Sequence, residues 1–338
     1  MREIGCAVIG LGVGEQHARA LACTPGCRIR FLHDLDRRRA ERLAVALGQG
    51  AVASSFEQVI ADPAVELVVI ASYDDAHAGQ VVAALEAGKH VFCEKPLCRT
   101  AEELASIAQA WRRSGRSLGC NLVLRAAPLY RWLREAIAAG ELGRIYAFDG
   151  DYLYGRLWKI TEGWRADVPD YSVLQGGGIH LLDLLLWTTA QVPARAWAVG
   201  NRIVTEGTRF RYHDYVSATF EFPSGLIGRI TANVGCVHRH QHVVRVFGER
   251  ATFLYDDQGP RLYRARDPGE PPRWLQHSPH PASKGDLIPA FVESIRAGGD
   301  RHGTEHELRL IAACLAADRA LSERAPVAVE TMRWEEDT

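Results

Sequence analysis

The sequence predicts an α/β domain built on a parallel sheet, followed by an α+β domain with a large, mostly antiparallel, open-faced sheet. Two observations carry this. Through the first 125 residues, short β-branched runs alternate with amphipathic helical stretches, the rhythm of βαβ units. After residue 143 the strands lengthen and are joined by turn signals such as Pro223-Ser224-Gly225 and the run 256–260, the marks of an antiparallel meander. At 338 residues the chain has room for two domains, divided here into 1–125 and 126–338.

In the first domain strands are expected over 4–10, 28–34, 66–72, 90–93 and 118–124. Helices are expected over 37–47, 76–87 and 101–114, ending near Gly48, Gly88 and Gly115 as helix C-termini prefer. In the second, a helix over 129–139 precedes strands over 144–154, 195–204, 215–222, 226–234, 242–247 and 251–255. Further helices are predicted over 178–189, 286–297 and 304–322. The last opens on Thr304-Glu305-His306-Glu307, which reads as a capping box, and is expected to fold back on the first domain. The proline-rich stretch 264–284 reads as a surface loop.

Lys+Arg 40 against Asp+Glu 41 leaves a net charge of -1, so no global field draws the chain to nucleic acid or anionic lipid. No apolar run approaches the ~18 residues of a membrane span, and Met1-Arg2-Glu3 leads into a strand-like segment rather than a signal peptide. A cytoplasmic protein is expected, with no nucleic-acid or membrane partner.

The run Ile9-Gly10-Leu11-Gly12-Val13-Gly14 leaves the first strand through a glycine-rich turn into a helix, and offers backbone N–H groups to a pyrophosphate. Asp34 follows Gly12 by 22 residues at the end of the second strand, where a carboxylate takes ribose hydroxyls. Asp36 fills the cap of the next helix, leaving Asp34 for this task. Asp34 favours NAD; NADP is the lesser alternative, through Arg37 or Arg38.

The segment Ala87-Gly88-Lys89-His90-Val91-Phe92-Cys93-Glu94-Lys95-Pro96-Leu97 resembles the signature of the Gfo/Idh/MocA oxidoreductase family, the relatives of glucose-fructose oxidoreductase and inositol dehydrogenase. The resemblance extends to His17, His77, Asn121, Arg125, Pro128, Trp164-Arg165, Gly178-Ile179-His180-Leu181-Leu182-Asp183 and the helix over 291–295. It implies that Lys95 lies beside the nicotinamide and holds the reacting hydroxyl, with a cis Lys95-Pro96 bond. It also implies that His180 accepts the proton and Asp183 binds substrate hydroxyls. Gly10, Gly12, Val13, Gly14, Asp34, Ser72, His77, Glu94, Lys95 and Asn121 are the expected cofactor residues. Arg125, Tyr152, Tyr154, Trp164 and Arg165 join Lys95, His180 and Asp183 as expected substrate residues.

The sequence departs from the family pattern in three places. Many relatives carry aspartate four residues before the histidine, where this chain has Gly176; an acid from elsewhere, such as Asp167 or Asp170, could substitute. The turn before His77 reads Ser72-Tyr73-Asp74, and the glycine turn is one residue short. The run Gly176-Gly177-Gly178 is expected to give a substrate close access to the helix start.

The eight cysteines form no CxxC pair and read as reduced packing residues, Cys93 standing out because it adjoins Glu94-Lys95-Pro96, where a thiol could be exposed. His238, His240 and His242 alternate and would share a strand face, fit for a metal or an anionic substrate. No carboxylate accompanies them at ligand-like spacing, a pocket rim or subunit contact explains them as well, and no metal is expected. Tyr152, Tyr154, Arg156 and Lys159 mix aromatic platforms with cations, suiting a sugar ring that carries phosphate or nucleotide. Apolar residues recurring in the later strands (Ile203, Val216, Phe220, Ile227, Ile230, Val244, Phe247) predict one sheet face on helices and the other on a partner subunit, hence a homodimer or homotetramer.

The expected activity is hydride transfer between a nicotinamide and a ring secondary alcohol of a sugar, sugar phosphate, nucleotide sugar or cyclitol. Two alternatives stay open: an enzyme that retains its NAD and cleaves a glycoside through transient oxidation, and a non-catalytic NAD(H)-binding regulator. Lys95 and His180 together speak against the regulator.

Overall fold

The computed structural model describes residues 2–330 and divides into two compact units. The first comprises residues up to 123 together with 281–308; the second comprises 124–280 and the chain from 309 on. The chain therefore returns to the first unit well before its last helix, where the sequence suggests a single division after residue 125.

The first unit runs β1 (Ile4–Ile9), α1 (Gly14–Cys23), β2 (Cys27–His33), α2 (Arg37–Leu47), β3 (Ala51–Val52), α3 (Phe56–Ala61), β4 (Leu67–Ile70), α4 (His77–Glu86), β5 (His90–Cys93), α5 (Ala101–Ser114) and β6 (Leu118–Cys120). All neighbours in its six-stranded sheet pair in parallel, in the order β3-β2-β1-β4-β5-β6. Every residue of β1 and β4 is buried, as expected of strands covered on both faces. Local chemistry fixes the helix ends: Asp36 accepts from Arg38 N and Thr100 from Glu103 N, while Gly48 and Gly115 close α2 and α5 in the left-handed region. The chain crosses from one side of β1 to the other after β3, the topological switch beside which Rossmann-type sheets bind nucleotides. The expected strand over 118–124 stops at Cys120, and 123–126 curl into a 3-10 turn.

The second unit contains α6 (Pro128–Ala138), β7 (Ile145–Leu153), the short α7 (Trp158–Thr161), α8 (Ile179–Thr189) and strands β8 (Arg195–Asn201), β9 (Tyr215–Glu221), β10 (Ile227–Asn233), β11 (Gln241–Gly248), β12 (Thr252–Asp256), β13 (Gly259–Tyr263) and β14 (Arg273–Trp274). After α9 (Ile288–Arg296) of the first unit and the long α10 (Arg301–Glu323), β15 (Val327–Ala328) completes a nine-stranded sheet, in the order β14-β13-β12-β11-β7-β10-β9-β8-β15. A plain meander is not what forms. β7 is inserted between β10 and β11, and its pairing with β10 is parallel. The stretch expected to be loop contributes β14, which pairs with β13.

The apolar strand residues do not all belong to one face. Val216, Phe220, Ile230 and Val244 are buried and Ile227 is exposed, while Ile203 is exposed and lies beyond β8, which stops at Asn201 rather than at 204. Along β7, Phe148 and Tyr152 are buried, and the intervening Asp149 and Asp151 join Arg229 and Arg245 in ion pairs of 2.7–3.2 Å. The expected capping box also does other work. Since α10 begins at Arg301, Thr304 lies inside it, and its hydroxyl donates to Leu118 O (2.6 Å) while Glu307 accepts from Cys120 N (2.7 Å), fastening β6. Among the described residues no helix is long and apolar enough to cross a membrane.

Candidate active site

In the first unit, the loops at the carboxyl ends of β1, β2, β4, β5 and β6 carry the candidate residues. Gly10 ends β1 with φ +79°, and a Cβ there would lie 2.4 Å from Ala71 O, so only glycine lets the turn pass β4. Gly12 and Val13 are exposed, and a Cβ on Gly12 would meet nothing within 4 Å. Open space over a turn that leads into α1 fits the approach of a pyrophosphate.

Asp34 is less idle than its sequence position suggests. Its carboxylate accepts from Leu11 N (2.6 Å) and Asp36 N (2.8 Å) and pairs with Arg39 (3.3 Å), bracing the glycine turn. Three of roughly four acceptor positions are thereby used, which leaves capacity for a ribose hydroxyl. Asp36 caps α2 as expected. Arg37 is paired with Glu41, and the cation beside Asp34 is Arg39, which the sequence did not single out.

The Lys95-Pro96 bond after β5 is cis. Glu94 anchors this turn: its Oε1 accepts from the buried His17 (2.9 Å) and from Asn121 Nδ2 (2.7 Å). Burial pushes the Glu94 carboxyl up, but His17, Asn121 and Lys95 outweigh it and hold it down at about 2. Asn121 Nδ2 also donates to Lys284 O, whereas its buried Oδ1 has no hydrogen-bond partner, an acceptor available to a carboxamide or hydroxyl donor. His77 is buried between two carbonyls, Pro96 O (2.7 Å) and Ser72 O (3.2 Å), and ties the lysine turn to the loop after β4. Ser72 Oγ donates to Gln80. The open glycine turn, the carboxylate at the end of β2 and the orphaned Asn121 oxygen together fit a nicotinamide dinucleotide. Cys93 is fully buried and burial pushes its thiol up, so it does not present the exposed thiol that its position allowed.

The second unit carries a separate cluster around the start of α8. Residues Leu174–Gly178 form a π-helical turn that delivers His180 in the first turn of α8. The glycines of that turn do not open a path to it. A Cβ at 177 would fall 2.1 Å from Tyr152 Cε1, and one at 176 would fall 2.3 Å from the Tyr171 hydroxyl. Two tyrosine rings thus take the space the glycines leave, and a tyrosine hydroxyl stands where an aspartate at 176 would begin.

Asp183 is 1% exposed and meets Arg125 in a bidentate pair, with Nε to Oδ2 at 3.0 Å and a second guanidinium nitrogen to Oδ1 at 2.6 Å. The two expected substrate residues are therefore first of all partners of each other. Asp318, on α10, was not foreseen. It accepts from Ser172 Oγ (2.7 Å) and Gln175 Nε2 (2.8 Å), and burial raises its carboxyl to about 6 against these two donors. Asp167 is engaged elsewhere, with Arg209 (3.2 Å).

Tyr152 and Tyr154 stack at 5.7 Å and 9°, with the Arg156 guanidinium over Tyr154 and that of Arg165 over Trp164. Burial pushes the Tyr152 phenol up. The three alternating histidines separate. His238 turns to Asp257 (3.0 Å), while His240 and His242 join Tyr152, Tyr154 and His180 in a continuous ring cluster. Their even spacing was the only sequence signal for this, and it did not distinguish His238 from the other two.

A family model described as an oxidoreductase family with an NAD-binding Rossmann fold matches residues 4–122, and the GFO/IDH/MocA C-terminal domain matches 130–254. The chain is similar to a 1,5-anhydro-D-fructose reductase from Ensifer adhaerens, 35% identical over 56% of this chain and 57% of that protein, and so spans little more than half of that relative. It is similar to an inositol 2-dehydrogenase from Acidothermus cellulolyticus, 35% identical over 78% of this chain and 76% of that one. Among solved structures, an NAD binding oxidoreductase from Klebsiella pneumoniae superposes with a TM-score of 0.84 at 23% identity, over 97% of this chain and 100% of that chain. Levoglucosan dehydrogenase in complex with NADH and levoglucosan gives 0.83 at 20% identity, over 98% and 100%. The structural likeness shows the fold; the two domain models in tandem, with relatives above 30% identity, make this chain a member of the Gfo/Idh/MocA oxidoreductase family.

Proposed function

We propose that the protein is an NAD-dependent dehydrogenase acting on a ring secondary alcohol of a sugar or cyclitol, free, phosphorylated or nucleotide-linked. The observation that carries the reading is the Glu94-Lys95-Pro96 turn, held by His17, Asn121 and His77 at the carboxyl end of β5, one strand from the switch between β1 and β4. Relatives named for inositol and anhydrofructose support the substrate class. The bound nicotinamide supplies the hydride acceptor. Lys95 orients the hydroxyl, His180 takes its proton, and the Arg125–Asp183 pair fixes the helix that carries His180. Asp34 selects NAD over NADP because a carboxylate repels a 2′-phosphate.

The test is NADH absorbance against sugars, cyclitols, sugar phosphates and nucleotide sugars. Lys95→Met should keep cofactor binding and lower turnover by at least ~100-fold, the scale of a lost acid–base group. Preserved turnover with lost cofactor affinity would contradict the assignment. Asp34→Ser should weaken NAD more than NADP.

We also propose a homodimer or homotetramer through the sheet face that bears exposed Trp197, Val199 and Ile227 beside the Asp149–Arg229 and Asp151–Arg245 pairs. Light scattering that finds a monomer at micromolar concentration would refute it.

A further inference from the structure

We infer that His242 and His240 continue from His180 as a path by which the substrate's proton reaches solvent. The inference rests on His180 being the proton acceptor. An alcohol that loses hydride also loses its hydroxyl proton, and a base only 8% exposed must discharge that proton before the next turnover. Position 176, one turn earlier, is glycine, and the Tyr171 hydroxyl lies against it. His242 packs against the His180 ring, edge to face at 5.8 Å and 88°.

The row continues outward. His242 meets His240 at 5.0 Å and 64°, and both are more exposed than His180. Sheet register builds this row. His242 pairs with Tyr152 across β11 and β7, so His240 falls beside Tyr154, its ring centroid 5.1 Å away. The two stacked tyrosines wall one side of the imidazoles, Tyr152 lying 5.4 Å from His242 and 5.3 Å from His240. The rings meet edge to face rather than nitrogen to nitrogen, so each transfer runs through one water, with each imidazole accepting at one nitrogen and donating at the other. His238 does not extend the row, being held by Asp257 and Arg239 O. A metal is the rival use of three imidazoles, but among the described residues no group of three or more ligating side chains could hold one.

The step balances. The C–H bond gives its electron pair and hydrogen to the nicotinamide as hydride, and the O–H proton moves to His180. It then passes to His242, to His240 and to water or buffer, one proton released for each ketone formed.

Histidine-ring NMR on the cofactor-free full chain reads the path without needing a substrate. At neutral pH, proton exchange between the His180 ring and solvent should slow by about a hundredfold in His242→Gln, the lower end of what a positioned proton-transfer group contributes, and free imidazole should restore it. His240→Gln, nearer the surface, should slow it in the same way and guards against a folding defect at 242. Wild-type exchange in both variants, or slowed exchange that imidazole leaves unchanged, would overturn the path. His180→Ala with undiminished turnover would instead overturn the assignment of His180 and leave the exchange result standing.

Discussion

Alanine at 176 isolates the cost of crowding the turn that carries His180. Its Cβ would sit 2.3 Å from the Tyr171 hydroxyl and 2.8 Å from Cζ, where ordinary contact begins at 3.4 Å, so the ring or the turn must give by more than an ångström. The ring has little freedom, for Tyr171 is packed edge to face on the fully buried Phe210 at 5.9 Å and tilted against Tyr212 at 6.4 Å. Overpacking of this kind costs ~1–3 kcal/mol. Replacing a helical glycine by alanine returns up to ~1 kcal/mol, so with that return in full the net loss should be ~0–2 kcal/mol. Urea unfolding of Gly176→Ala, Tyr171→Ala, the double variant and the parent forms a cycle. With the ring removed, Gly176→Ala should become neutral or stabilising, a coupling of at least ~1 kcal/mol. Equal losses in both backgrounds would refute the argument. Aspartate at 176 inherits the same clash, so placing a carboxylate there requires Tyr171 to be trimmed first.

Three further outcomes follow from the buried charges. Glu94 is held at about 2 against an ordinary 4.5, a stabilisation of ~3 kcal/mol that is complete above 4.5 and lost as pH falls through 2. The gap in thermal stability between the parent and Glu94→Gln should therefore be full at pH 6 and close toward pH 2; a gap that ignores pH counts against the network. Asp318 has the opposite sign: raised from 3.8 to about 6, it favours the folded state most below 3.8 and loses that contribution, up to ~3 kcal/mol, as pH rises through 6. Asp318→Asn should flatten the stability profile between pH 4 and 6, and an unchanged slope there would disprove it. Arg125→Met leaves the Asp183 carboxylate buried without its guanidinium and should cost ~3–5 kcal/mol by calorimetry, most of it recovered when Asp183→Leu is added. No recovery in the double variant would show that the pair matters for more than charge balance.

Local chemistry made part of this fold readable in the sequence. Helices α2 and α5 fall where their residues place them because a cap side chain and a left-handed glycine mark both ends. The glycine turn, Asp34 and the Glu94-Lys95-Pro96 run are likewise contiguous signals. What was not legible depends on distant partners. The insertion of β7 between β10 and β11 is a choice among non-local pairings, and Arg125 reaches Asp183 across 58 positions. Thr304 and Glu307 have the spacing of a cap, yet their partners are backbone groups of β6 that no local pattern announces. The same holds for Asp318, whose place against Ser172 and Gln175 is set only when α10 packs.

The discontinuous first unit bears on how the chain is made. Helix α9 supplies Ile288, Phe291 and Val292 to the core over β1 and β5, Phe291 lying 5.2 Å from Phe92, and Lys284, Thr304 and Glu307 bond to the end of the sheet. None of these groups exists on the ribosome until all of residues 124–280 have been synthesised, on the order of ten seconds or more after β6 emerges. During that interval the nascent dinucleotide fold waits with one flank of its hydrophobic interior uncovered, an invitation to chaperones. An excised fragment ending near residue 123 would keep that flank bare permanently, whereas one rejoined to residues 281–308 through a short linker carries everything needed to close it.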